Sequence, residues 1–156
     1  MKNIILTITI IAVSITAHSQ TSTVIDLKPY FSAVIVSNID SSLVWYQSVL
    51  GLKIRNLINT PERGSRIAIL ESSRILLELI EVKSSLSTKK ILENKPERTY
   101  IQGFSKIGFL VSNIEDCLKH LAVLKITVPQ VWTDTVSKKR NFLINDPDRN
   151  LIQFFD

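Results

Sequence analysis

The chain carries two histidines, His18 and His120, and one cysteine, Cys117. His18 lies in an N-terminal stretch with the form of an export leader: Met1-Lys2-Asn3 is a short basic start, residues 4–17 are uncharged and apolar, and Ala17-His18-Ser19 offers small residues where a signal peptidase cuts. A transmembrane anchor needs about 20 apolar residues, and this run is shorter and interrupted by threonines and a serine. Cleavage near Ser19 is therefore expected, giving a periplasmic or extracellular protein with no membrane anchor. Such a product keeps a single imidazole, so one subunit cannot build a site that needs two, which excludes most zinc and non-haem iron schemes. No intrachain disulfide is possible, and a lone thiol in an exported chain is expected to be buried and inert. The formal charge of +5 falls by one when Lys2 leaves, and the cations are scattered. Lys138-Lys139-Arg140 reads as a solvated hairpin end, and no nucleic-acid partner is indicated.

The elements that must position any site are organised as a repeat. Val36-Ser37-Asn38-Ile39-Asp40 returns 75 residues later as Val111-Ser112-Asn113-Ile114-Glu115. At the same offset Leu76-Leu77-Glu78-Leu79-Ile80-Glu81 falls on Leu151-Ile152-Gln153-Phe154-Phe155-Asp156, in the same order of apolar, polar and acidic residues. Two matches at one offset indicate an internal repeat. The boundaries are a leader over 1–19 and one domain over 20–156, with repeat 1 at about 29–82, a polar connector at 83–103 and repeat 2 at about 104–156.

Each half reads β-α-β-β-β. Residues 31–36 and 107–111 are short apolar runs that fit buried strands, and each meets a Ser-Asn step able to cap a helix. Ser112 with Glu115 has the form of a capping box. Ile39, Leu43 and Tyr46 recur at helical spacing, as do Ile114, Leu118 and Leu121, and Gly51 ends the first helix. Strands are predicted at 52–59, 65–71 and 74–82, then at 126–131, 140–145 and 150–155, with a helical turn in the connector near 90–93. The fold class is α+β. His120 and Trp45 align in the repeat on a helix flank; Trp45 and Tyr46 read as core, while Trp132, beside a loop, is the aromatic suited to a ligand or partner surface.

At this point the sequence resembles the vicinal oxygen chelate superfamily, which holds glyoxalase I, bleomycin-resistance proteins and extradiol dioxygenases. The resemblance rests on Val36-Ser37-Asn38-Ile39-Asp40 followed by Leu43, Trp45-Tyr46 and Leu50-Gly51-Leu52, and on the closing Asn145-Asp146-Pro147-Asp148-Arg149-Asn150 hairpin. It covers nearly all of residues 20–156. One departure is Arg149, where the family usually has glycine; a positive φ there would cost about 1 kcal/mol.

The resemblance implies two βαβββ modules forming a curled mixed sheet around an open cleft. It also implies four metal-ligand positions, which fall on Phe31, Glu78, Lys106 and Gln153. Three of these are poor donors to a divalent ion, so no metal and no cofactor is expected, and glyoxalase or dioxygenase chemistry is disfavoured. Strand alternation puts Phe31, Glu78, Lys106, Gln153 and Phe155 in the cleft as ligand-binding candidates. Lys106 either neutralises Glu78 as an anchor for an anionic or carbonyl-bearing ligand, or snorkels to solvent. Three functions follow: a metal-free small-molecule binder; a lyase or isomerase with Glu78 as base and Lys106 stabilising an enolate, or a metal enzyme; and a non-catalytic interaction module. A homodimer is compatible with each.

Overall fold

In the computed structural model, which describes residues 29–97, 99 and 101–156, both Ser-Asn steps begin helices. The leader and His18 lie outside the described residues. The chain runs β1 (Ser32–Val36), α1 (Ile39–Leu50), β2 (Lys53–Thr60), β3 (Ser65–Glu71), β4 (Leu76–Val82), α2 (Thr88–Ile91), β5 (Lys106–Leu110), α3 (Ile114–Val123), β6 (Val131–Thr133), β7 (Arg140–Asn145) and β8 (Leu151–Phe155). The Asn38 side chain accepts the Ser41 N–H at 2.9 Å. Asn113 accepts those of Glu115 and Asp116 at 2.8 and 3.2 Å. The expected capping box does not form, because Asn113 rather than Ser112 is the cap, which leaves Glu115 one position short of the place a box needs, and its carboxylate turns to Arg140 at 2.6 Å. Gly51 ends α1 at φ 65°, a left-handed conformation that suits glycine.

Each module folds into a four-stranded mixed sheet, ordered β1-β4-β3-β2 and β5-β8-β7-β6. The parallel pairings agree at the repeat offset: Ala33 lies beside Glu78 and Gly108 beside Gln153. One face of each sheet carries a helix. Ile39, Leu43, Tyr46 and Val49 of α1 bury against Ala68, Leu70, Leu77 and Leu79, while Ile114 and Leu121 of α3 join Phe142, Ile144, Ile152 and Phe154 in the same cluster. The α-face therefore supplies the hydrophobic stabilisation, and the opposite face is left for other uses.

Two strands and one helical turn differ most from expectation. The strand predicted at 126–131 is reduced to Val131–Thr133, because Lys125 turns left-handed at φ 59°, Ile126 N–H closes back on Leu121 O, and Pro129 lacks a ladder donor. The one predicted at 74–82 starts at Leu76, since Ser72 N–H bonds Ile75 O in a tight turn. The connector's helical turn lies at Thr88–Ile91, two residues earlier than expected, because Ser87 caps it by accepting Lys90 N–H.

The modules are held together by the β7–β8 turn. Asp146 is buried and accepts from Asp148 N, Asn150 N and Asn150 Nδ2 at 2.8–2.9 Å, and from Tyr46 Oη of the other module at 2.8 Å. Asp148 accepts Ser37 N–H at 2.9 Å, and His120 Nε2 donates to Ser48 O at 2.8 Å. Burial, then the negative charge of Asp146, hold the Tyr46 hydroxyl well above the ordinary phenol range, so it remains a donor.

Candidate functional site

The strand registers put Ala33, Ile35, Glu78 and Ile80 on the helix-free face of the first sheet, and Lys106, Gly108, Leu110, Leu151, Gln153 and Phe155 on that of the second. That much of the predicted placement follows the pleat. Among the described residues, however, no hydrogen bond, ion pair or shared cavity joins the candidates. Phe31 precedes β1 and is 54% exposed, stacked edge-on against Tyr30. Glu78 is half-buried between Ala33 and Ile69 of neighbouring strands. Gln153 is only 5% exposed; its amide donates to Asn141 Oδ1 at 2.6 Å, while Gln153 Oε1 is buried without a partner among the described residues. Phe155 lies two residues further along β8, beside Leu110.

Lys106 is exposed and forms no ion pair with Glu78, which corrects the paired reading: the solvated alternative is the one adopted. Its charge acts instead on Asp134. That carboxyl is held below the usual carboxylate range first by hydrogen bonds from Ser137, and by Lys106 as a smaller contribution. Trp132 is half-buried on β6, facing Asn141 across the β6–β7 ladder. The Cys117 thiol is half-buried and pushed up by desolvation, as expected of an inert cysteine.

A different space brings chemistry together. The free edge of β1 faces β5 and the start of β8 across a groove of about 780 Å³. Its walls are Ser32–Val36, the connector residues Ser85–Thr88, and Phe104, Lys106, Asn150 and Leu151. Of the predicted residues only Lys106 lines it. Ile35 and Leu86 stand 59% and 60% exposed at its wall, and the Phe104 side chain lies wholly in solvent. The lining is thus apolar, interleaved with hydroxyls, one ammonium and the Asp148 carboxylate, a composition that suits an organic molecule with few polar groups. Leu86 in the polar connector and Phe104 just after it were its sequence signal.

The family's metal is not matched by this donor set. Phe31 has no donor atom, Lys106 is a cation, the Gln153 amide is engaged with Asn141, and Glu78 is the one carboxylate. Among the described residues no three His, Cys, Asp or Glu side chains come together. These four residues therefore support no reaction step through a metal.

The profile of the Glyoxalase/Bleomycin resistance protein/Dioxygenase superfamily matches residues 29–154. No curated protein matches the chain. Among solved structures, a glyoxalase family protein from Enterococcus faecalis superposes with TM-score 0.72 at 19% identity, over 83% of this chain and 97% of its own. The protein SMU.1112c superposes with TM-score 0.70 at 26% identity, over 83% and 99%. The fosfomycin resistance protein FosX from Listeria monocytogenes, solved with Mn(II) and sulfate, gives TM-score 0.59 at 13% identity, over 82% and 90%. With paired β-α-β-β-β modules, the Asp146-Pro147-Asp148 turn clasping α1 and a profile match across both modules, the chain belongs to the glyoxalase/bleomycin resistance protein/dioxygenase superfamily.

Proposed function

We propose that this member is an exported small-molecule-binding protein that holds its ligand, without chemistry, in the groove between its two modules. The observation that carries the reading is the ring of exposed apolar side chains, Ile35, Leu86, Phe104 and Leu151, around a space of about 780 Å³. Monomers rarely leave such a patch open without a use for it, and the volume lies within the range of small-molecule sites, about 300–1,000 Å³. The lyase or isomerase reading needs a general base within reach of the ligand. Glu78, the base that reading names, does not line the groove; Asp148 does, with one carboxylate oxygen accepting Ser37 N–H. Export rests on the form of residues 1–19.

Two measurements test this. The neutral fluorophore N-phenyl-1-naphthylamine should bind the purified protein, and Ala33→Trp, at an exposed groove position, should abolish binding while leaving the thermal midpoint unchanged. Binding that survives Ala33→Trp, or no binding by the parent protein, refutes the groove. Mass spectrometry of the exported fraction should find a chain starting near Gln20; a protein retaining residues 1–19 in the cytoplasm refutes export.

A further inference from the structure

The groove does not end at the module seam. Ser87, Thr88 and Asp148 are shared with a second depression of about 720 Å³, so the two form one trough. The character of the lining changes along it. The seam end is apolar with one lysine; the far end presents Lys89 and Lys90 from one side and Arg149 from the other, against the acids Glu93 and Asp148. Three cations thus stand against two acids, and one Asp148 oxygen already accepts Ser37 N–H.

Arg149 is the informative residue. It sits at φ 67°, a left-handed conformation that glycine adopts without strain and arginine does not. Among the described residues its guanidinium makes no hydrogen bond or ion pair that would offset the strain. Lys125 and Lys138 also have positive φ, but one closes a helix end and the other a hairpin, and neither lines a groove. A strained arginine with no structural partner, facing two lysines across an open depression, is suited to meet a charge supplied from outside.

We infer that the ligand is an amphiphilic anion: an apolar body lying along β1 and β5, with a carboxylate, sulfonate or phosphate head held by Arg149, Lys89 and Lys90. This rests on the seam groove being the binding site. Arg149 would act as a specificity residue, choosing charged over neutral molecules of the same shape.

The test compares two fluorophores of similar body, 1-anilinonaphthalene-8-sulfonate and neutral N-phenyl-1-naphthylamine, on the full chain. The parent protein should prefer the sulfonate by about tenfold or more, and the preference should shrink at high salt. Arg149→Gly, which relieves backbone strain and so folds, should lose about tenfold in sulfonate affinity and leave neutral binding unchanged. Arg149→Lys should retain most of the preference, since the charge remains. Equal binding of both probes, or a preference untouched by Arg149→Gly and by the pair Lys89→Ala with Lys90→Ala, overturns the anion inference while the seam groove stands. Loss of both probes in the parent, or no effect of Ala33→Trp on either, removes the groove and this inference with it.

Discussion

Taking the hydroxyl from Tyr46 removes one of four donors to the buried Asp146 carboxylate. Tyr46→Phe is expected to cost about 1–3 kcal/mol, read from urea unfolding at neutral pH. The same hydroxyl gives a pH signature. Burial and Asp146 keep it protonated in the folded state far beyond the point, about pH 10, at which it ionises in the unfolded chain. Its contribution is therefore complete below about pH 10 and declines as pH rises further, by up to about 1.4 kcal/mol per pH unit. Tyr46→Phe should show a shallower decline by one proton; an identical slope would mean that the phenol titrates normally. At Lys106 the opposite size is expected. As an exposed lysine with no ion pair among the described residues, it should tolerate Lys106→Met with less than about 1 kcal/mol change, additive with Glu78→Leu in the double variant. Coupling between the two would contradict their separation. Arg149→Gly should raise stability by about 1 kcal/mol in thermal unfolding, because the turn then carries no strained side chain.

The helices depend on single side chains at their starts. Asn113→Ala should cost about 1 kcal/mol and Asn38→Ala no more, since Asn113 accepts two backbone N–H groups and Asn38 one. These caps were legible because Ser-Asn stood between an apolar run and a helical period, and such local signals carried most of the element order. The failures were of two kinds, local backbone and tertiary. Glu115 suited a capping box only with Ser112 as the cap; Asn113 takes that place, and Arg140, 25 residues away, holds the carboxylate. The run at 126–131 had strand composition, yet Pro129 and the left-handed Lys125 interrupt the ladder. Alternation assigned Gln153 and Lys106 to the correct face, but a face is not a contact. Gln153 turned to Asn141, two strand positions off its direct partner, and Lys106 reached solvent at the sheet edge. The groove escaped because its wall comes from the connector and from an unpaired strand edge, neither of which leaves a period in the sequence.

At the scale of the whole molecule, the two sheets share no ladder, so their union rests on side chains: a common apolar cluster, Tyr46 with Asp146, Ser37 with Asp148, and His120 with Ser48. The trough opens along that union, so whatever fixes the modules also fixes the trough. Asp146 is the centre of the arrangement, because one carboxylate both closes its own turn and receives the other module's tyrosine. Asp146→Ala leaves those four donors without an acceptor and should destabilise the protein by about 3 kcal/mol. Its further effect is on cooperativity. The chain has one tryptophan per module, Trp45 on α1 and Trp132 on β6, and each can be followed alone after the other is changed to phenylalanine. In otherwise unaltered protein the two unfolding curves should coincide, as for a single cooperative unit. With Asp146→Ala the midpoints should separate, because the modules retain their own cores but lose their principal polar link. If the curves shift together and remain superimposed, the apolar cluster alone couples the modules, and the Asp146 turn serves only to close its own hairpin.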